Sequence, residues 1–190
     1  MKTIKNFTFA LVTLVTFSLS FTSCDALSEA LSKEVEMEAP AIDFTLEPPV
    51  APPVTAPQQK VSAAEVVWLN RSIDVKTRIN EELTKNKLKL DNVKKLELIS
   101  SVIKLSSSIN KDYNLGNIKL YINGNLIASG IGSITTTASN IILQYNTPYS
   151  ILNLLEEGNM QVKITSDQPK PDIKLDMKLV NTYLGNFSLI

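Results

Sequence analysis

Beyond residue 41, apolar and polar side chains alternate in short runs separated by turn residues. AIDFTLE sets Ile42, Phe44 and Leu46 against Asp43, Thr45 and Glu47, a period of two that predicts a strand with one wet face. Residues 62–87 read as helical in part, with Asp74 placed to cap and Val75, Ile79 and Leu83 forming an i, i+4, i+8 stripe above Arg78, Glu81 and Glu82. In KKLELISSVIKLSS, Leu96 and Leu98 alternate, the pattern slips between Ile99 and Val102, and Ile103 and Leu105 resume it, which predicts a long strand with a bulge or bend. NIKLYINGNLIASG alternates Ile118, Leu120 and Ile122 with Lys119, Tyr121 and Asn123 before an Asn-Gly pair, the signature of a hairpin. A two-residue loop at Asn123-Gly124 would turn Ile127 inward, a three-residue loop Leu126 and Ala128, and the pattern admits both.

IILQYN predicts a further strand. Thr147-Pro148 reads as an N-cap with proline at N1, Ile151, Leu152, Leu154 and Leu155 supply an apolar face, and Gly158 stands at C′, so a helix of about two to three turns is expected. MQVKITSD and DIKLDMKLV flank a QPKP turn, and the second sets Ile173, Leu175, Met177 and Leu179 against Lys174, Asp176 and Lys178, which predicts a closing hairpin of half-buried strands. The sum is a mainly β fold, an antiparallel β-sandwich of about seven strands with one or two short helices packed on an edge or end. Its domain spans 41–190 and includes a loop at 48–57 in which Pro48, Pro49, Pro52, Pro53 and Pro57 exclude a central strand or helix. That loop reads as a rigid extended connector, with a proline-groove ligand as the alternative. A domain of this size buries roughly 70% of its unfolded surface and can stand without disulfides.

The first residues, MKTIKNFTFALVTLVTFSLSFTSC, obey another grammar: Lys2 and Lys5 precede an apolar run from Phe7 to Phe21 broken only by Thr and Ser. This predicts an export signal over residues 1–23. The run is shorter than the roughly 20 apolar residues that a bilayer core needs, and no basic stop-transfer cluster follows. Phe21-Thr22-Ser23-Cys24 resembles the lipobox of bacterial lipoproteins, in which small residues precede a cysteine that is acylated and becomes the mature N-terminus. Thr22 and Ser23 match that pattern, while Phe21 stands where Leu, Val or Ile is usual. The resemblance implies lipid on Cys24 and recognition of Phe21, Thr22 and Ser23 by the signal peptidase. The alternative is ordinary cleavage that leaves Cys24 a free thiol. Each buried methylene contributes about 0.8 kcal/mol, so two or three acyl chains would hold the protein durably on a membrane that it does not span.

Residues 24–40 are expected to be the lipidated tether. Leu27, Leu31 and Val35 recur every four residues, Asp25 can cap, and Glu29 with Lys33 is a favourable i, i+4 pair, so a short helical stalk competes with a solvated chain. Asp25 and Glu29 resemble, loosely, the acidic signal that accompanies surface display in Bacteroidota-type lipoproteins.

The chain has 19 basic and 19 acidic residues, no histidine and one cysteine in 190 residues. A balanced charge gives no footprint for nucleic acid. Without histidine the usual general base and the commonest metal ligand are missing, and one thiol makes neither an internal disulfide nor a thiolate cluster. Loss of Lys2 and Lys5 with the signal leaves 17 basic groups against 19 acidic ones, a charge of about −2, too weak to drive binding to anionic lipid by itself. Glu156 and Glu157 are adjacent and face apart. Asp172 and Asp176 alternate with lysines as on an ion-paired outer face, and Ser100, Ser101 and Ser106 to Ser108 have only Lys104 as a conceivable dyad partner. Trp68 and Tyr121 are the candidate contact residues for sugar or protein, although for Trp68 packing beneath the helix is the favoured reading, because large aromatics are mostly buried.

From Ala41 onward, the order of strand, helix, VKKLELIS, LGNIKLYING, ILNLLEEG and MQVKITSD is similar to small Bacteroidota lipoproteins of unassigned function. Those carry an immunoglobulin-like or late-embryogenesis-type β-sandwich behind the lipobox. The expected function is therefore non-enzymatic and without cofactor or metal: an outer-membrane lipoprotein, facing the periplasm or the cell surface, that serves a cell-envelope assembly as a structural or binding component. Its expected partners are the membrane, through Cys24, and other envelope proteins. The alternatives are a carrier of a lipid or other apolar ligand inside the sandwich and a surface glycan-binding module.

Overall fold

In the computed structural model, residues 32–49 and 65–188 are described. Ten strands occur among them: β1 Ser32–Glu38, β2 Ile42–Leu46, β3 Val66–Asp74, β4 Val93–Leu105, β5 Tyr113–Ile122, β6 Asn125–Ile134, β7 Asn140–Tyr145, β8 Tyr149–Ser150, β9 Asn159–Ser166 and β10 Leu175–Ser188. Two α-helices join them, α1 Val75–Lys85 and α2 Leu152–Glu157. The strands form one curled antiparallel sheet in the order β1-β10-β4-β7-β6-β5-β9-β3, with β2 also on β10 and β8 also on β4. The fold is mainly β and sandwich-like, as the alternation predicts.

Curling brings the two ends of the path together and gives every strand but the two-residue β8 a buried inner face. Leu46, Leu98, Ile103, Ile118, Leu120, Ile134, Val162, Ile164, Leu175 and Phe187 have no or almost no accessible surface there. The gap between the ends is bridged by α1 and two arginines. Arg71 of β3 donates to the Asp43 carbonyl at 3.4 Å, and Arg78 of α1 donates to the Pro40 and Ala41 carbonyls at 2.8 and 3.3 Å.

Asp74 caps α1 as expected: its carboxylate accepts from the Thr77 amide at 2.8 Å and the Thr77 hydroxyl at 2.7 Å. These bonds, the backbone one foremost, hold its carboxyl below the ordinary range. Val75, Ile79 and Leu83 are the buried stripe. The helix takes only the second half of the stretch 62–87, since Val66–Asp74 is strand.

Four expectations are corrected. Ser32–Glu38, placed in a helical or flexible tether at 24–40, is strand β1, paired from Ser32↔Ser188 to Glu38↔Thr182, so the folded part begins well before residue 41. Val35 fits a period of four with Leu27 and Leu31 as well as a period of two with Met37, and the open edge of β10 decides between them. MQVKITSD and DIKLDMKLV do not pair: β9 lies between β5 and β3, β10 beside β4, β1 and β2. Eight residues, 167–174, separate them, more than the two to five of a tight hairpin, and they carry the chain from one side of the curl to the other. Thr147 does not cap α2. Tyr149 and Ser150 pair with Leu98 and Glu97, so the helix starts after Ile151 with no side-chain cap. Finally, ten strands replace the expected seven, because β1, β3 and β8 carry no clean alternation.

Candidate binding face

The hairpin of β5 and β6 turns at Asn123 (φ 47°) and Gly124 (φ 83°), the two left-handed residues of a two-residue primed turn. Ile122 pairs with Asn125 and Tyr121 with Leu126, but Leu120 pairs with Ala128, so Ile127 is an extra residue. This bulge resolves the register: both Ile127 and Ala128 point inward, and Leu126 is left 53% exposed. The expected slip in β4 is equally real, since Tyr183 faces Leu98 and Thr182 faces Ser100, which skips Ile99.

Outside this hairpin, β5, β6 and β7 present a shallow depression of about 660 Å³ lined by Asn117, Lys119, Ser129, Ile131, Ile142, Gln144 and Asp167. Ala128 faces Tyr145 and Ser129 faces Gln144, and beyond these pairs the depression is lined by Ile131 from β6 and Ile142 from β7. These are the most exposed large apolar side chains among the described residues, at 74% and 65%. Between them Gly130 lies against the Ile142 carbonyl, where a Cβ has no room.

The rim is polar and internally paired. Asp167 accepts from the Asn117 amide at 2.8 Å and the Asn117 side chain at 2.6 Å, and these bonds hold its carboxyl below the usual range. Glu65 accepts from Lys119 Nζ at 2.5 Å, from the Tyr121 hydroxyl at 3.3 Å and from Thr165 Oγ1 at 3.2 Å. Its carboxyl is lowered by Lys119 first, and the Lys119 ammonium is raised by Glu65. Lys163 sits 5.4 Å above the Tyr121 ring.

Tyr121, a candidate contact residue, is thus half-buried, its ring under Lys163 and its hydroxyl on Glu65. Trp68, the other candidate, is 6% exposed at a bulge in β3 between the Val67–Thr165 and Leu69–Ile164 pairs. Its burial agrees with the favoured packing reading and leaves little surface for a contact role, and its indole Nε1 has no hydrogen-bond partner among the described residues. Phe21, Thr22, Ser23 and Cys24 lie outside the described residues, as does most of the proline-rich loop 48–57. Ile131, Ile142 and Glu65 are the residues that sequence reasoning passed over. The first two sit in ordinary strand alternation, with no local sign that their face is the wet one.

The other candidate groups do not converge. Ser101 points inward and Lys104 outward, as positions three apart on a strand must. The Ser101 hydroxyl donates to Asn181 Oδ1 at 2.5 Å and lies 2.6 Å from the Tyr145 hydroxyl, which must then be the donor to Ser101. Burial pushes the Tyr145 phenol far up and the Tyr183 phenol, beside Asn181, up to about 12. Glu156 and Glu157 are exposed on α2. Asp172 pairs with Lys111 at 3.0 Å and Asp176 accepts from Thr45 at 2.8 Å. Beneath Pro40, Arg78 and Tyr183 a void of about 10 Å³ remains, room for about one water. No family model, curated protein or solved structure matches the chain.

Proposed function

We propose that this chain is a non-enzymatic lipoprotein of a bacterial cell envelope, held at the outer membrane by acylated Cys24, whose β domain meets a protein partner through the outer face of β5, β6 and β7. One observation carries the binding role: Ile131 and Ile142 line one depression and stand in water, on a face where the alternation otherwise puts polar side chains. Two exposed isoleucines inside a polar rim are the anatomy of a contact patch. The anchor rests on the Thr22-Ser23-Cys24 sequence after the apolar run. Among the described residues no helix is long and apolar enough to cross a membrane.

The carrier reading has less support: inner-face side chains such as Leu98, Ile118, Val162 and Ile164 are packed with no accessible surface, and the void beneath Arg78 is about 10 Å³, against the several hundred Å³ of a small-molecule site. The glycan reading loses its platform when Trp68 is buried and Tyr121 covered. Metabolic labelling with an alkyne fatty acid should mark the wild type and not Cys24→Ala; equal labelling refutes the anchor. A photocrosslinking residue at position 142 should give discrete protein adducts in intact cells that weaken with Ile131→Ser and are absent when the probe sits at Asn70. Identical patterns from both positions refute the contact face.

A further inference from the structure

Net charge conceals a local feature of this chain. Lys85, Lys87, Lys89, Lys94 and Lys95 fall within eleven residues, with Asp91 as the one acid among them, and all five are exposed. They run from the last turn of α1, through a reversal at Lys87 (φ 59°) and a 3-10 turn at Leu90–Asn92, into the start of β4. Lys85 pairs with Glu82 at 2.8 Å and Lys95 with Glu97 at 3.0 Å. Lys87 and Lys89 make no ion pair among the described residues. Beside them, a depression of about 510 Å³ is lined by the apolar Leu88 and Leu90, the cationic Lys76 and Lys89, the neutral polar Thr77, Asn80 and Thr84, and Asp91.

The strand registers place this cluster where the chain leaves for Cys24. Val93 faces Phe187, and Phe187 faces Lys33 on β1, whose first residue Ser32 faces Ser188. β1 and β4 are two strand spacings apart at that row, about 10 Å. Seven residues separate Cys24 from Ser32. Even fully extended, at about 3.3–3.6 Å per residue, they keep Ser32 within about 30 Å of the cysteine. The acids of β1 flank the cluster rather than fill it: Glu34 faces Asn186, which faces Lys95.

We propose that the end of the fold carrying Lys85 to Lys95 docks on an anionic lipid headgroup surface. The inference rests on the acylation of Cys24 for its setting: a lipid at that cysteine holds this end, and not the opposite one, within reach of the bilayer. Tethering removes most of the cost of association, so a patch that recruits the free protein only weakly, at low salt, fixes the orientation of an anchored one. Docked in this way, the domain stands with the turn at Ser106–Asp112 outermost and the β5–β7 face at its flank.

The test uses the mature chain from residue 24 with Cys24→Ser, which has no acyl chain, in co-sedimentation with phosphatidylcholine vesicles with and without phosphatidylglycerol. Binding is expected only to the anionic vesicles. It should weaken as salt rises to about 0.15 M, where exposed charges more than about 8 Å apart are screened. Lys87→Gln, Lys89→Gln and Lys94→Gln together should lower it about tenfold or more. Lys104→Gln, Lys174→Gln and Lys178→Gln, at the opposite end of β4 and β10, should leave it unchanged. If the triple variant fails to fold, Lys89→Gln alone with the wild-type salt dependence decides. Equal binding to neutral vesicles, no binding to anionic ones, or equal loss in both variant sets overturns the proposal. The alkyne labelling reads Cys24 separately, so docking without acylation and acylation without docking are distinct results.

Discussion

Ser101 shows how one hydroxyl can be spoken for by a fold. It has no accessible surface, and its single proton goes to Asn181 while its lone pair takes the proton of Tyr145. The chain of bonds links β7, β4 and β10 across the curl. Ser101→Ala would leave the Asn181 carbonyl oxygen and the Tyr145 hydroxyl unsatisfied, and it should cost about 1–3 kcal/mol in a urea titration. An unchanged midpoint would mean that water replaces the lost partner. In the sequence Ser101 is one of five serines in a bend-like stretch, and nothing local distinguishes it. Its importance comes from Asn181, eighty residues away.

Strand β1 is where an element's identity is decided from outside. Lys33, Glu34, Glu36 and Glu38 leave only Val35 and Met37 to face the core, and Met37 is 3% exposed. An isolated helix of this length is marginal in water, whereas β10 offers a row of unpaired amides and carbonyls. The same charges blunt β1 as the outermost strand of its edge. Deleting Ser32–Glu38 should lower the melting temperature and accelerate hydrogen exchange of β10 amides between Thr182 and Ser188. Those from Leu175 to Leu179, covered by β2, should stay protected. Uniform exchange along β10 would show that β1 adds nothing. The two helix ends give the complementary lesson. Asp74 caps α1 as its sequence predicts, because a cap needs only its own next three residues. Thr147 does not, because β4 captures Tyr149 and Ser150. At the other end of α2, Gly158 takes the left-handed conformation (φ 81°) and its carbonyl accepts the Val75 amide at 3.1 Å, joining the two helices.

For the molecule as a whole, the titrating groups set a stability profile with two limbs. The Asp74, Asp167 and Glu65 carboxyls are lowered in the fold, so their contribution is complete above the unfolded values, near 4, and is lost as pH falls through the folded ones. All three are solvent-facing, and salt should shrink this acid limb. The Tyr183 phenol moves the other way, up to about 12, so its contribution is full below the unfolded value of 10.0 and is lost as pH rises through the folded one. Urea midpoints should therefore be flat between about pH 5 and 9 and fall on both sides. Tyr183→Phe should make the alkaline limb shallower, leaving the share of the buried Tyr145 phenol, without changing the acid one. A phenol absorbance change completed near pH 10 without unfolding would contradict the buried setting.

What the sequence determined by itself was everything governed by near neighbours: the wet and dry faces of β2, β5 and β10, the Asn-Gly turn, the bulge near Ile99, the cap at Asp74 and the stop at Gly158. Those follow from periodicity and from the φ, ψ freedom of single residues. Tertiary structure decided the rest. Which strands are neighbours, whether residues 32–38 wind or extend, which side of β6 and β7 meets water at Ile131 and Ile142, and where five lysines stand relative to Ser32 all depend on partners far along the chain. A hydrophobic pattern states that a face must be covered, and only the curl of the sheet says by what.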